Sequence, residues 1–309
     1  MEQVCFGIDV GGTTVKCGLF SIAGELIEKW EIPTRTQNCG EAILPDIAGT
    51  VLGKMNERGI EKASVVGIGI GIPGPVKNGR TPGAVNLYWG EKDLVAELSG
   101  LTGLPVCAGN DANVAALGEM WAGAAKGQKT VLMVTLGTGV GGGAVVDEKI
   151  VEGAHGAGAE IGHLPVDDEL EVKCNCGNSG CLEQFCSATG IVRIAREEIA
   201  KAGSRTVLQA ETVTAKDVFD VLESGDSAAV NTVEIFARYL GRGIAMATAV
   251  LDPETVVIGG GVSRAGKKLL DPVAENYRKY AFSACKATSL VLASLGNDAG
   301  IYGAARLVL

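Results

Sequence analysis

The sequence lacks the features that would place it on a nucleic acid or in a membrane. Its 309 residues carry a net charge of −9, so there is no excess of Lys and Arg to bind an anionic polymer. No apolar run approaches the ~18 residues of a membrane span. No basic segment followed by an apolar stretch opens the chain, so we expect a cytoplasmic protein. A small anionic ligand stays compatible with this charge, because backbone N–H groups and a metal ion bind phosphate locally.

Two common nucleotide-binding motifs are also missing or incomplete. Neither glycine turn of the chain ends in the G-K-[ST] of a P-loop. Residues 137–142, "GTGVGG", fit the pattern G-x-G-x-x-G, but a dinucleotide fold needs a helix directly after these glycines. The next residues, "GAVVDEKIV", look like a strand. We therefore disfavour the dinucleotide interpretation.

Histidine is scarce, and the nine cysteines include no C-x-x-C pair. A cytoplasmic protein is not expected to have a disulfide framework, and the odd number agrees. His155 is expected in a solvated loop, and Cys186 is expected to be buried on a helix. Five isolated cysteines are expected to be buried small hydrophobic residues: Cys5, Cys17, Cys39, Cys107 and Cys285.

Glycine, by contrast, is abundant, with 45 residues in 309, about twice the usual ~7%. Residues 5–20, "CFGIDVGGTTVKCGLF", place two glycines between strand-like runs, and a third such run follows. The stretch "VLMVTLG" at residues 131–137 opens the same pattern again. The repetition predicts a duplicated β-meander followed by helices, which is an α/β chain of two similar lobes with a cleft between them.

The predicted lobes are residues 1–115, joined by a C-terminal helix over residues 298–309, and residues 116–297. Asp298 is the expected N-cap of that last helix. Further helices are predicted near residues 41–58, 92–98, 187–201, 215–222 and 228–250, and from about residue 264.

The glycine hairpins are candidate phosphate sites. Successive N–H groups in a glycine-permitted conformation form an anion nest, and Thr hydroxyls add donors. Two such hairpins facing each other would clamp a nucleoside triphosphate with its Mg²⁺. Either hairpin alone is better explained as an ordinary tight turn, but their repetition favours the phosphate interpretation.

Four residues form a candidate metal site. Cys174, Cys176, Cys181 and His163 make a Cys₃His set, which suits tetrahedral Zn²⁺. A C-x-C pair on a glycine-containing loop is difficult to explain by core packing. Free thiols by coincidence and a redox disulfide are the alternatives. Because no open position for an activated water is evident, we expect a structural metal over residues 163–181.

A candidate acid–base residue stands where a strand ends and a helix begins. Residues 110–121, "NDANVAALGEMW", follow a strand that ends at Gly109. Either Asn110 or Asp111 is expected to cap this helix, as Asx residues commonly do. Capping does not exclude catalysis, since a carboxylate there can also take the proton of a substrate hydroxyl.

Several motifs resemble the ROK family of sugar kinases and regulators, within the actin/hexokinase-like (ribonuclease H-like) ATPase superfamily. They are D-V-G-G-T-T-V-K at residues 9–16, "LGTGVGGG", "VIGGGVS" at residues 257–263, and "GAEIGH" followed by "CNCGNSGCLE". The resemblance runs essentially from end to end. It implies the two-lobed fold of that superfamily and commonly a homodimer or homotetramer.

The resemblance also implies an activity, which is ATP-dependent phosphorylation of a hexose, most closely of the 6-hydroxyl of glucose. Asp111 would be the general base. The implied sugar contacts are Asn86, Asn110, Asp111, Glu160, His163 and Glu183. The implied ATP and Mg²⁺ contacts are Asp9, Gly11, Gly12, Thr13, Thr14, Lys16, Gly137, Thr138, Gly139, Gly260 and Gly261. The implied Zn²⁺ is structural, and its ligands are His163, Cys174, Cys176 and Cys181.

Some alternatives stay open within the resemblance. The sugar could be an N-acetylhexosamine, mannose or fructose, and the donor polyphosphate or ADP. A sugar-sensing repressor is disfavoured, because Asp9 leaves no room before it for a helix-turn-helix and because the charge is acidic. One departure is visible, since Ala159 stands where these kinases often have Gly. We expect it to tighten the loop beside Glu160.

Overall fold

The structure is a computed structural model that describes residues 3–169 and 172–309. Groups of strands and groups of helices follow one another along the chain. The strands are β1 (Val4–Val10), β2 (Thr14–Ser21), β3 (Leu26–Pro33), β4 (Val65–Ile72), β5 (Arg80–Thr81), β6 (Lys92–Asp93), β7 (Val106–Asn110), β8 (Val131–Leu136), β9 (Val140–Val146), β10 (Lys149–Ile150), β11 (Thr255–Gly259) and β12 (Ser289–Leu292). The helices are α1 (Gln37–Gly40), α2 (Ile43–Arg58), α3 (Leu94–Thr102), α4 (Asp111–Ala122), α5 (Glu183–Cys186), α6 (Ala188–Ala202), α7 (Ala215–Asp220), α8 (Ser227–Leu251), α9 (Lys267–Tyr280) and α10 (Ala299–Arg306).

The two five-stranded sheets repeat one strand order. The first runs β3-β2-β1-β4-β7, and the second runs β10-β9-β8-β11-β12. The first strand of each meander also pairs in parallel with a later strand, β1 with β4 and β8 with β11. Parallel neighbours require long crossover connections, and α2 and α8 lie within these connections. The predicted duplication of the β-meander is confirmed.

Glycines allow helix α10 to pack directly on the first sheet. A Cβ on Gly7 of β1 would lie 2.0 Å from the O of Ile301, and a Cβ on Gly69 of β4 would lie 1.7 Å from the O of Ala304. No side chain fits at these distances, so the helix backbone rests on the strand backbone. Part of the glycine excess therefore serves helix–sheet packing, whereas the sequence suggested ligand turns.

Contacts divide the chain into two compact units. The first comprises residues 1–129, 143–159 and 294–309, and the second comprises residues 130–142 and 160–293. Each has a hydrophobic core of its own. Phe6 and Ile70 are fully buried in the first, and in the second Phe236 is fully buried and Tyr277 nearly so. The predicted lobes, with a boundary at residues 115 and 116, divide the chain at another place and stay a prediction.

The main helices lie close to their predicted ranges. Those expected near residues 187–201 and 228–250 are α6 and α8. Asp298 does stand at the N-cap position of α10, but its side chain makes no capping hydrogen bond. Its carboxylate instead accepts a hydrogen bond from the Lys29 ammonium over 2.7 Å. Within the described ranges, no helix is both long and apolar enough to cross a membrane.

The prediction for the isolated cysteines is only partly right. Cys5, Cys17 and Cys285 are buried, whereas Cys39 and Cys107 are exposed. Burial raises the pKa of the Cys5 and Cys17 thiols to about 12, which makes them unreactive.

Candidate functional site

The first glycine turn joins β1 to β2 as a tight hairpin. The N–H of Gly11 donates to the O of Thr14 over 3.0 Å, and the Thr34 hydroxyl donates to the O of Gly11 over 2.7 Å. Neither Gly11 nor Gly12 adopts the left-handed backbone expected for a nest. Glycine is needed for space instead, because a Cβ on Gly11 would lie 2.9 Å from the O of Thr14. Gly12 and Thr13 are exposed at the tip.

Asp9 and Lys16 form a charged pair below this turn. They are directly opposed in the pairing of β1 with β2, and Lys16 Nζ lies 3.9 Å from Asp9 Oδ2. The ammonium also donates to the O of Asn297 over 3.0 Å. Burial raises the pKa of Asp9 above its ordinary value, and the charge of Lys16 offsets part of this rise. A poorly solvated carboxylate gains from a nearby cation, so Asp9 suits a hydrated metal ion.

Asn110 and Asp111 lie where β7 ends and α4 begins. Asn110 Oδ1 accepts from the N–H groups of Ala112 and Asn113 over 3.0 and 3.1 Å, so Asn110 is the residue that caps the helix. Its Nδ2 donates to the O of Gly74 over 3.0 Å and to Asp111 Oδ1 over 3.0 Å. Asp111 Oδ1 also accepts from the N–H of Ala112 over 2.8 Å. The carboxylate is thus held in one orientation at the N-terminus of α4.

Asn86 lies in a one-turn 3₁₀ segment over Val85–Leu87, with an exposed side chain. The chain directly after this segment is held in place, because the Trp89 indole N–H donates to the O of Gly40 over 3.0 Å. It lies near the first glycine hairpin, since a Cβ on Gly12 would stand 3.7 Å from the O of Asn86. Asn86 is therefore presented next to the candidate phosphate turn.

The second glycine turn joins β8 to β9, and helix α6 supports it. The N–H of Gly137 donates to the O of Gly139 over 3.0 Å, which closes the turn. From α6, the N–H of Ala188 donates to the O of Gly137 over 2.8 Å, and the Thr189 hydroxyl donates to the O of Thr138 over 3.1 Å. Because a strand and not a helix follows, the dinucleotide interpretation is wrong.

A groove beside Thr138 was not predicted from the sequence. Its volume is about 640 Å³, and its walls come from α6 and from residues 213–215. Arg193 and Arg196 line it together with Glu197, whose carboxylate accepts from Arg193 Nη1 over 2.8 Å. Among the described residues, Arg193 Nε is buried without a hydrogen-bond partner. The only sequence signal was the position of "SATGIVRIA" directly after the cysteine motif.

A third turn follows β11 at Gly260 and Gly261. Gly260 has a left-handed backbone with a φ of 85°, and a Cβ there would lie 2.4 Å from the O of Leu136. The Ser263 hydroxyl donates to the O of Gly260 over 2.8 Å and fixes the turn. Gly261 is exposed and has open space where its Cβ would be. Glycine is therefore required at Gly260, and Gly261 leaves room for a ligand.

The four predicted metal ligands do meet. The ligand atoms of His163, Cys174, Cys176 and Cys181 all lie within 4.8 Å of one another. Cys174 Sγ lies 3.5 Å from His163 Nδ1, and the Sγ atoms of Cys176 and Cys181 lie 3.7 Å apart. Tetrahedral Zn²⁺ with ordinary bond lengths separates a sulfur from a nitrogen by about 3.6 Å and two sulfurs by about 3.8 Å. The donor set and its spacing therefore fit a zinc ion.

Glu183 connects this cluster to the second glycine turn. Its Oε1 lies 3.4 Å from Cys174 Sγ, and its Oε2 accepts from the N–H of Val140 over 3.2 Å. A Cβ on Gly139 would lie 2.3 Å from Oε2, so glycine makes room for the carboxylate. Glu160 is exposed and begins the short 3₁₀ turn that ends in His163. Within the second unit, the structure thus brings together the zinc motif and the second turn.

Comparisons with known proteins agree with this arrangement. The ROK family model matches residues 5–309. The glucokinase of Halalkalibacterium halodurans is 44% identical over 309 aligned positions, and the alignment covers 98% of this chain and 94% of that protein. The ROK hexokinase structure from Thermus thermophilus is 33% identical with a TM-score of 0.84, and the match covers 99% of this chain and 97% of that one. A ROK family glucokinase from Streptomyces griseus, solved with glucose and AMPPNP, is 31% identical with a TM-score of 0.77 and 98% coverage of both chains.

The chain belongs to the ROK family. Its mixed α/β fold is the one predicted, that of the actin/hexokinase-like sugar kinases.

Proposed function

We propose that this chain is an ATP-dependent glucokinase, which transfers the γ-phosphoryl group of ATP to the 6-hydroxyl of D-glucose. The observation that carries the proposal is the similarity to glucokinases over nearly the whole chain. Each unit also contributes features that support it, since phosphoryl transfer depends mainly on positioning and electrostatics. The first has a glycine turn and an oriented carboxylate, and the second has a glycine turn and a Cys₃His cluster.

In the proposed reaction, Asp111 takes the proton of the 6-hydroxyl. The hydroxyl oxygen then bonds to the γ-phosphorus, the bond from that phosphorus to the β,γ-bridging oxygen breaks, and ADP leaves with the electron pair. The contacts of Asp111 support this role, because N–H donors from Ala112 and Asn110 hold its Oδ1 in one orientation. A general base must be oriented in this way to act within hydrogen-bond reach.

We propose that the sugar hydroxyls are bound by a further set of polar side chains. Because His163 directs its Nδ1 at Cys174, its Nε2 is the atom proposed to meet a hydroxyl. Asn110 Oδ1 caps the helix and its Nδ2 donates to the O of Gly74 and to Asp111 Oδ1, so a sugar hydroxyl that binds there has to replace or share one of these partners. The proposed set is Asn86, Asn110, Glu160, His163 and Glu183.

We propose that the glycine turns bind ATP. The N–H groups and hydroxyls of Gly11, Gly12, Thr13, Thr14, Gly137, Thr138 and Gly139 are assigned to the phosphates, together with Lys16. Asp9 is assigned to Mg²⁺ through water, and the ion when bound neutralises phosphate charge. Gly260, Gly261 and the groove beside Thr138 are assigned to the nucleoside, since the groove opens from a phosphate turn.

We propose that His163, Cys174, Cys176 and Cys181 hold a structural Zn²⁺. Four protein ligands complete a tetrahedral shell, so no position is left for a catalytic water. The metal would order residues 163–181 and thereby His163 and Glu183, which is a common use of such sites. The cytoplasmic location stays a prediction that cell fractionation tests. The dimer or tetramer stays a prediction that analytical ultracentrifugation tests.

The proposal is tested by measuring ADP release from Mg·ATP across a panel of hexoses. The panel contains glucose, mannose, fructose and N-acetylglucosamine. Polyphosphate and ADP are tested as alternative donors for glucose by measuring the formation of glucose 6-phosphate, because neither donor releases ADP. We expect kcat/KM for glucose with ATP to exceed every other pair at least ~10-fold, a difference of ~1.4 kcal/mol in activation free energy. Preference for another sugar would overturn the glucose assignment, and sugar binding without turnover would overturn the kinase assignment.

A further inference from the structure

Glu119 is a buried carboxylate that the proposed mechanism does not use. It lies near the end of α4 and is 0% exposed. Its Oε2 accepts from the N–H of Ala124 over 2.7 Å, the N–H of Ser294 over 3.2 Å and the Ser294 hydroxyl over 3.3 Å. Its Oε1 accepts from the N–H of Leu295 over 2.9 Å. A Cβ on Gly123 would lie 2.0 Å from Oε2, so glycine at that position makes room for the carboxylate.

This carboxylate joins segments that are far apart in the sequence. Burying a charge is costly unless hydrogen bonds replace its water, and four donors do so here. Three of them are backbone or side-chain groups of Ser294 and Leu295, about 175 residues beyond Glu119. The result is that residues 294 and 295 are fixed against α4, within the first unit.

The segment that follows Leu295 touches the charged pair of the first phosphate turn. The O of Asn297 accepts from Lys16 Nζ over 3.0 Å. At Gly300, a Cβ would lie 2.6 Å from Asp9 Oδ2, so this backbone forms a wall against the carboxylate. The position of residues 297–300 therefore sets where the Lys16 ammonium and the Asp9 carboxylate can point.

We propose that Glu119 is a positioning residue for the phosphate and Mg²⁺ contacts. It holds residues 294–295, and through residues 297–300 it holds Lys16 and Asp9 in place. This inference rests on the proposed role of Asp9 and Lys16 in binding Mg·ATP. Its consequence is selective, because loss of the carboxylate weakens nucleotide binding and leaves glucose binding unchanged.

The test compares the natural chain with Glu119→Gln. The amide keeps one acceptor oxygen but turns an NH₂ group toward a backbone N–H, so at least one hydrogen bond is lost. The affinities for Mg·AMPPNP and for glucose are measured separately by calorimetry, together with KM for each substrate, well below the unfolding temperature. We expect the Kd and KM for the nucleotide to rise about tenfold, and those for glucose to stay within about twofold.

Glu198→Gln is the matched control. Glu198 is also buried, at 4% exposed, and its carboxylate accepts from Lys201 Nζ over 2.7 Å and from Asn231 Nδ2 over 3.0 Å. It lies on α6 in the second unit, and it is not among the residues that line the groove beside Thr138. We expect it to lower the unfolding temperature without a selective change in nucleotide affinity.

A double-mutant cycle with Lys16→Met tests the route. If Glu119 acts through Lys16, the double variant loses less binding free energy for the nucleotide than the sum of the losses in the two single variants. Unchanged nucleotide affinity in Glu119→Gln, an equal loss for both substrates, or full additivity with Lys16→Met would overturn the proposal. If Glu119→Gln does not fold, Glu119→Asp is used with the same expectations. Failure of the natural chain to bind Mg·AMPPNP would instead overturn the proposed function.

Discussion

The Asn110 amide donates to Asp111 Oδ1 over 3.0 Å, while Asn110 Oδ1 caps helix α4 through the N–H groups of Ala112 and Asn113. One side chain therefore starts the helix and orients the proposed base. The two roles use different atoms, since the carbonyl oxygen caps and the NH₂ group donates. Substitutions at this position can separate stability from catalysis.

Asn110→Ala is expected to lose both roles. Loss of the cap should lower the free energy of unfolding by ~1 kcal/mol, and loss of the amide donor should lower kcat/KM for glucose at least ~10-fold. Asn110→Ser keeps a capping oxygen but lacks the NH₂ group, so it should recover most of the stability and little of the activity. Denaturant unfolding and steady-state kinetics measure these effects. Full activity in Asn110→Ser would argue against the orienting role.

The cysteine cluster gives a prediction about metal removal. Cys176 and Cys107 are both exposed thiols, but only Cys176 belongs to the cluster. Cys176→Ser should release the metal, loosen the backbone around residues 163–181 and weaken glucose binding about tenfold or more. Hydrogen exchange, metal analysis and glucose calorimetry measure the three effects. Cys107→Ser should change none of them, and a metal-free Cys176→Ser with unchanged glucose affinity would contradict the ordering role.

Ala159 has a left-handed backbone, with a φ of 63°. Glycine adopts this conformation without the steric cost that alanine meets there, so Ala159→Gly should raise the free energy of unfolding by ~0.5–1 kcal/mol. The greater freedom of glycine in the unfolded chain offsets part of the gain. Ala157→Gly, two residues earlier and at an ordinary φ, should be slightly destabilising. A loss of stability in Ala159→Gly equal to that in Ala157→Gly would show that strain at Ala159 is negligible.

The raised pKa of Asp9 gives a prediction about pH. Burial makes the ionised carboxylate less favourable in the folded than in the unfolded chain, and Lys16 only partly offsets this. Ionisation of Asp9 therefore does not change the free energy of unfolding below its ordinary pKa of 3.8. It lowers the free energy of unfolding as the pH rises from there through the pKa of Asp9 in the folded protein.

Asp9→Asn removes this term, so its unfolding temperature should exceed that of the natural chain by more at pH 8 than at pH 3, below the ordinary pKa of Asp9, in metal-free buffer. Calorimetry measures both values, and the exposed Asp271→Asn on α9 serves as the control. A larger gain at pH 3 than at pH 8 would contradict the direction of the pKa shift. The variant should also lose Mg²⁺-dependent nucleotide binding. The same substitution is thus expected to raise stability and to weaken binding.

Much of the site was predictable because its signals are local. Cys174, Cys176 and Cys181 lie within eight residues of one another, and chelation by a short loop requires such spacing. The first glycine turn lies between two short apolar runs that are visible in the sequence, and both are strands. In both cases, residues that act together are neighbours in the chain.

Contacts between distant segments could not be predicted in this way. Nothing near Glu119 in the sequence indicates that Ser294 and Leu295 are its donors. The need for glycine at Gly7, which comes from the close approach of Ile301, could not be predicted either. The same is true of the groove between α6 and residues 213–215. The choice of Asn110 over Asp111 as cap also depended on geometry, since both residue types cap helices.

The central claim is that Asp111 is the general base of a glucokinase. The measurement that tests it most directly is kcat and the glucose Kd of Asp111→Asn, beside the natural chain, with saturating Mg·ATP. Because the base acts mainly in the transition state, kcat should fall at least ~10²–10⁴-fold while the glucose Kd stays nearly unchanged. Near-normal turnover in Asp111→Asn would remove Asp111 from that role and contradict the account.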